Sequence, residues 1–273
     1  MRRLKALLGA LLLAAGLSGC GLSGDTLTVV IPKIGKADCS ILKNGNESMV
    51  IDCGEAENAP EILDTLQKQN ISTLQYLVIT HFDKDHVGGA AEVLRNIPVE
   101  QVLEPDYSPE NPQAEAYRTY REALAETGVP VTKVRDTLEC TLGSASITVT
   151  GSGGQTYSKN VDNNSSLLVA VTHRGNRFLF AGDIEKQRIT ELLDTGIPQY
   201  DFLKVPHHGV YNSALPDFLE AVGMEYAVIT CSNKNPADAE TLEALRQAGA
   251  KTYETSQGPI TVVSTDAGIK IRQ

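Results

Sequence analysis

The chain has 273 residues, 41% of them hydrophobic and 21% charged, with 24 Lys and Arg against 34 Asp and Glu and a formal net charge of −10. An acidic body of this kind repels DNA and anionic headgroups, and no run of lysine or arginine forms a patch that would reverse the field. Strong electrostatic capture of nucleic acid is therefore not expected.

The amino terminus has a basic start at Arg2, Arg3 and Lys5 and an apolar run of twelve residues from Ala6 to Leu17. That run is too short for a permanent transmembrane helix, which needs ~20 residues. Leu17-Ser18-Gly19-Cys20 resembles the lipobox of bacterial lipoproteins. The resemblance implies a signal peptide over 1–19, cleavage, and lipidation of Cys20, with the mature protein on the extracytoplasmic face of the bacterial cell membrane. Loss of the three basic residues takes the formal charge from −10 to about −13. Residues 20–26 read as lipidated Cys and short tether, Gly21 to Asp25 reaching roughly 15–18 Å at full extension. Residues 27–273 read as one domain. Strand-like runs lie at 27–31, 49–52, 76–80, 146–150, 167–171, 177–181, 202–205, 226–230 and 260–263. Helical patterns lie at 59–69, 89–96, 110–127, 185–195, 214–222 and 238–248, so the periodicity supports a mixed α/β fold. Tyr117, Tyr120 and Leu124 recur at helical spacing, as a core face does.

The densest chemistry is Thr80-His81-Phe82-Asp83-Lys84-Asp85-His86-Val87-Gly88-Gly89. It gathers two imidazoles and two carboxylates directly after the buried-strand pattern Leu77-Val78-Ile79, and the two glycines permit a tight turn into a helix. Open α/β sheets place ligands at such carboxyl ends of strands. Neutral imidazole and carboxylate together suit zinc, manganese or iron, whereas an all-oxygen set would suggest calcium or magnesium. Four of the five histidines (His81, His86, His207, His208) fall next to strand ends bearing Asp or Gly. His173 lies apart, in a turn between two strands, and is expected to face solvent.

His-x-Asp-x-Asp-His-x-Gly-Gly resembles the metal-binding motif of the metallo-β-lactamase superfamily, in the variant where an aspartate replaces the second histidine. That variant is similar to the extracellular domain of ComEC-type DNA-uptake proteins and their free-standing relatives. Other segments follow in the family's order. Ile34-Gly35-Lys36-Ala37-Asp38 and Met49-Val50-Ile51-Asp52-Cys53-Gly54 resemble its opening hairpin, with Asp38 and Asp52 at two acidic positions. Val161-Asp162-Asn163-Asn164-Ser165-Ser166-Leu167 resembles its Asn-x-x-Ser-Leu strand entry, Phe178-Leu179-Phe180-Ala181-Gly182-Asp183 the strand ending in a bridging aspartate, and Pro206-His207-His208-Gly209 its His-His-Gly loop.

The resemblance implies a four-layer αββα sandwich, two divalent metal ions (Zn or Mn), and metal-assisted hydrolysis. His81 and Asp83 would hold the first ion, Asp85 and His86 the second, and Asp183 would bridge. His207 is the expected ligand of its pair, with His208 shaping the loop or handling substrate. Asp85 and His208 are the expected catalytic positions. Asp38, Asp52, Asn163 and Asn164 are expected behind the ligands or as weak contacts to the first ion, because Asn163-Asn164-Ser165 stands where the superfamily often has a third histidine. Ser232-Asn233-Lys234-Asn235-Pro236 replaces the Gly-His-Pro element usual in this branch.

The expected function is hydrolysis of phosphodiester or related bonds, in a small molecule or a nucleic acid. The alternatives are an acyl hydrolase such as a lactonase, or a surface binding protein that keeps metal without turnover. Lys33, Lys36 and Lys204 lie near the site loops, but scattered lysines are usually solvated. Cys53, Cys140 and Cys231 show no paired spacing, so no disulfide framework is expected.

Overall fold

In the strand Leu27–Ile31, Leu27, Val29 and Ile31 turn to one side and Val30 to the other, and all are buried. A strand apolar on both faces needs cover on both. The computed structural model, which describes residues 25–273, supplies that cover with four layers. In chain order the strands are β1 (Leu27–Ile31), β2 (Ser40–Asn44), β3 (Glu47–Ile51), β4 (Leu74–Val78), β5 (Val99–Pro105), β6 (Val131–Val134), β7 (Thr137–Leu142), β8 (Ala145–Thr150), β9 (Leu168–His173), β10 (Asn176–Phe180), β11 (Phe202–Lys204), β12 (Tyr226–Ile229), β13 (Lys251–Glu254), β14 (Ile260–Thr265) and β15 (Gly268–Arg272). The helices are α1 (Ala59–Lys68), α2 (Lys84–Val87), α3 (Ala90–Asn96), α4 (Glu115–Thr127), α5 (Val161–Asn164), α6 (Lys186–Thr195), α7 (Leu215–Val222) and α8 (Ala239–Gln247).

One sheet runs β15-β14-β1-β2-β3-β4-β5-β6 and the other β13-β12-β11-β10-β9-β8-β7. Met49, Ile51, Val78, Phe178, Phe180, Phe202 and Val228 fill the space between them. On the outer face of the first sheet, Val50 and Leu77 pack under Ile62, Val93 and Tyr120 of α1, α3 and α4. On the outer face of the second, Leu179, Leu203 and Ile229 pack under Ile189, Phe218 and Leu245 of α6, α7 and α8. This is the expected αββα sandwich. Phe178, fully buried with its ring 5.4 Å from that of Phe202, shows what holds it together: Phe178→Ala would cost about 3–5 kcal/mol through lost transfer energy and the cavity left behind.

Topology positions the site. β3 to β6 pair in parallel, as do β10 to β13, with helices as the crossovers. The turns leaving β3, β4, β10, β11 and β12 carry Asp52, His81, Asp183, His208 and Thr230 to one end of the sandwich.

Six strands escaped the sequence pattern. β6, β7, β13 and β15 are sheet edges with largely exposed or half-buried polar residues, where one-sided burial leaves little apolar signal. β2 and β5 are interior but interrupted by Lys43, Glu100, Gln101 and Glu104. α4 starts at Glu115 instead of 110 because Pro109 and Pro112 disfavour helix in the residues before them, and Asn111 to Ala114 form a turn. The expectation for His173 is corrected. It ends β9 and is buried, with Nδ1 2.9 Å from Ser264 Oγ and Nε2 3.5 Å from Asp25, because Arg174 and Gly175 alone make the turn, both at positive φ. The leader, Cys20 and most of the tether lie outside the described residues. Cys39, Cys53, Cys140 and Cys231 are free.

A candidate metal centre

Asp52 follows β3 with a φ of 59°, a left-handed conformation that aspartate tolerates better than most residues. The bend turns its carboxylate toward the end of β4. There it accepts from Thr80 N at 2.8 Å, Thr80 Oγ1 at 2.7 Å and His86 Nδ1 at 2.8 Å. Asp83 stands at the N-terminus of α2, its carbonyl accepting from His86 N at 3.0 Å. Gly88 and Gly89 make the expected turn, between α2 and α3. Both lie in helical conformation, and glycine is needed for approach: a Cβ on Gly88 would sit 2.4 Å from Lys84 O and 2.7 Å from Ala56 N, and one on Gly89 2.2 Å from Cys53 O. His207 and His208 are held at φ 49° and 53°, backbone strain of the kind that clusters at functional sites.

These turns aim three imidazoles at one carboxylate. His86 Nε2 is 3.2 Å from Asp183 Oδ1, and His208 Nε2 is 3.3 Å from Asp183 Oδ2 and 3.4 Å from Asp85 Oδ2. His81 and His86 have ring centroids 4.0 Å apart. His81 Nε2, His86 Nε2, His208 Nε2 and Asp183 Oδ1 are all buried without a hydrogen-bond partner. Burying four such groups unpaired is costly, and their convergence fits a cation. His81, His86 and Asp183 bring ligand atoms within 4.8 Å of one another.

The opposite ring nitrogens are tied down, as they are behind metal-ligating histidines. Thr80 Oγ1 donates to Asp52, so it accepts from His81 Nδ1 at 3.2 Å, which leaves Nε2 with a free lone pair. Ser166 Oγ also lies 3.3 Å from His81 Nδ1. His86 Nδ1 donates to Asp52, and His208 Nδ1 to Thr230 O at 3.1 Å with Asp38 Oδ1 3.3 Å away. Asp38 and Asp52 thus stand behind the histidines.

Burial pushes His81 down to about 3, with the neighbouring His86 charge adding to it. Burial also disfavours charge on His86 and His208, yet Asp183, Asp52 and Asp38 carry His86 well above the usual imidazole range, and Asp183 and Asp38 carry His208 up to about 10. Asp85 falls to about 2 despite burial because the charged His208 and His86 stand beside it. Burial and the charges of Asp162 and Asp85 raise Asp83 to about 6. Protons on two histidines supply positive charge that the carboxylates demand.

His207 sits at the edge. Its Nε2 is 4.0 Å from Asp183 Oδ2, its Nδ1 is 3.3 Å from Glu185, and its side chain is 22% exposed. The geometry therefore favours His208, not His207, as the ligand of the pair. Asn164 has no group left for an ion: its oxygen accepts from Glu185 N and Arg188 N, and its amide donates to Lys159 O and Asn160 O, which caps α6. Asn163 donates to Glu185 at 2.8 Å and reaches the site only through it. Lys204 corrects a second expectation, for it is 2% exposed and pairs with Asp38. A lysine inside the apolar run Phe202-Leu203-Lys204-Val205 was the available signal, since a buried ammonium requires a buried counter-ion.

Sandwich, topology and donor cluster together define a metallo-β-lactamase-type fold. The family model described as the metallo-beta-lactamase superfamily matches residues 33–232, and the chain belongs to this superfamily of metallo-hydrolases. It is 26% identical over 203 residues to ComE operon protein 3 of Bacillus subtilis, covering 72% of this chain and 25% of that protein. It is 27% identical over 224 residues to Recombination protein 2 of Haemophilus influenzae, covering 79% and 25%. The chain thus spans about a quarter of the length of these ComEC-type relatives. Among solved structures, the metallo-beta-lactamase fold protein YhfI of Bacillus subtilis superposes with a TM-score of 0.56 at 11% identity, covering 91% of this chain and 100% of that one, a likeness of fold alone.

Proposed function

We propose that the protein is a metal-dependent hydrolase of phosphodiester or related bonds, anchored through Cys20 on the extracytoplasmic face of the membrane. The observation that carries the reading is the convergence of three unpartnered imidazole Nε2 atoms on Asp183. Asp85, His86 and His208 would hold an inner ion, His81 and Asp83 an outer one, with Asp183 shared between them. The mixed nitrogen and oxygen donors suit zinc or manganese. When bound, such a pair of ions supplies Lewis acidity and makes water a nucleophile near neutral pH. The chain's own part is to fix the ligands: Asp52 orients His86, Thr80 and Ser166 orient His81, and Thr230 and Asp38 orient His208. His207, at the rim between Asp183 and Glu185, is placed to meet substrate.

Similarity to the ComEC-type relatives favours a phosphodiester, and the acidic body favours a small one. A small chromogenic phosphodiester should be cleaved with activity abolished by chelator and by His86→Ala, at a rate little changed by salt, while duplex DNA is cleaved slowly or not at all at physiological ionic strength. Rapid duplex cleavage at that salt would make nucleic acid the substrate class. Turnover of lactones or esters without turnover of phosphodiesters would overturn the reading. For the anchor, Cys20→Ala should leave precursor or soluble protein, and membrane retention at mature size would refute lipidation.

A further inference from the structure

Lys204 is a cation already built into the donor cluster. It ends β11, its Nζ pairs with Asp38 Oδ2, and it lies 3.8 Å from Asp183 Oδ1, the oxygen that also faces His86. Asp38 in turn accepts from Thr230 Oγ1 and faces both inner histidines from behind, 3.3 Å from His208 Nδ1 and 3.9 Å from His86 Nδ1. Asp38, His86 and His208 have ligand atoms within 4.8 Å of one another and could themselves take an ion. The ammonium group is already seated on that carboxylate. Carboxylates crowd this end of the sandwich, Asp38, Asp52, Asp83, Asp85 and Asp183 with Glu185 at the rim, and Lys204 compensates one of them.

We infer that Lys204 is a positioning residue that serves as the fixed cation of the metal centre, keeping Asp38 out of the coordination sphere. The inference rests on the metal-centre reading above. Without the ammonium, Asp38 is a buried carboxylate that has lost its counter-ion, and when divalent metal is supplied an additional ion can take the place of the ammonium. Removal of both Lys204 and the Asp38 charge leaves the balance as it was.

The test compares the unmodified mature protein, Lys204→Met, and Lys204→Met with Asp38→Asn, each stripped by chelator and titrated with Mn²⁺ and Zn²⁺. Bound metal is counted by elemental analysis after desalting, and melting temperature is read with and without metal. The unmodified chain should hold two ions. Lys204→Met should hold more than two, or bind its ions at least about tenfold more tightly, with a lower melting temperature when stripped and a larger gain on metal addition. The double variant should return to two ions and to a melting temperature near that of the unmodified chain. Lys204→Met with two ions, unchanged affinity and an unchanged metal-induced gain overturns the inference. Should Lys204→Met fail to fold even with metal, the double variant decides: folded with two ions supports the inference, whereas unfolded or metal-poor overturns it. An unmodified chain that binds no metal would fell the metal-centre reading itself, and this inference with it.

Discussion

The inner half of the centre is enclosed and the outer half is open. Asp85, His86 and His208 are packed around Asp183, with each histidine oriented from behind by a buried carboxylate or carbonyl. The outer half has His81, wholly buried, and Asp83, whose side chain is 45% exposed and stands 3.7 Å from His81 Nε2. Asn164, at the place where a third outer ligand is usual, is spent on capping α6. Fewer anchored ligands mean a weaker site. On the proposed metal centre, the shared aspartate would therefore serve two ions of unequal hold.

The severest way to break this comparison is to remove what the halves share. Asp183→Asn should lose the outer ion, weaken the inner one, and lower turnover by more than about 100-fold, beyond what losing a group behind a ligand costs. Two ions per chain by elemental analysis with a normal rate would remove Asp183 from the centre. Next in size is the histidine pair. His208→Ala should empty the inner half, while His207→Ala should leave both ions bound and change the rate by a smaller factor. The reverse result would restore His207 as the ligand of the pair. Calorimetric titration of chelated protein should sharpen the contrast into two steps separated at least about tenfold in affinity. Asp83→Asn should erase the weaker step alone, and a single step of two equal ions would show the halves to be equivalent.

The sequence was most readable where chemistry is local. His81, Asp83, Asp85 and His86 share six positions, and Asp183, His207 and His208 each follow an apolar strand, so the cluster stands out before any contact is known. Choosing between His207 and His208 needed the backbone, because consecutive positive φ angles decide which ring turns inward. Lys204 needed a long-range partner, Asp38, on the other sheet. His173 shows the opposite error. A histidine beside a hairpin turn reads as exposed, yet here the turn folds onto the end of β14 and buries it against Ser264. It faces Asp25 as the site histidines face their aspartates, but no other imidazole converges on it. Convergence of several unpartnered nitrogens, not a single His–Asp pair, distinguishes the centre.

The smallest expected effect concerns protons in the inner half. In the chelated protein His208 titrates at about 10, raised from 6.5 by Asp183 and Asp38. Between those values the folded state binds a proton that the unfolded chain has released, so folding stability falls as pH rises. This contribution is fully present below about 6.5 and is lost as pH passes through about 10. The melting temperature of chelated protein should therefore drop between pH 7 and 9.5, by on the order of 5 °C. Metal binding displaces those protons, so metal-loaded protein should lack this slope and the metal-induced gain in melting temperature should grow with pH. His208→Gln removes one of the two raised histidines and should reduce the slope in the chelated form, leaving the part due to His86, whereas His207→Gln, at the rim, should leave it in place. A chelated protein whose melting temperature holds or rises over this range would mean that His208 is neutral there, and that the inner half does not need a proton when the ion is away.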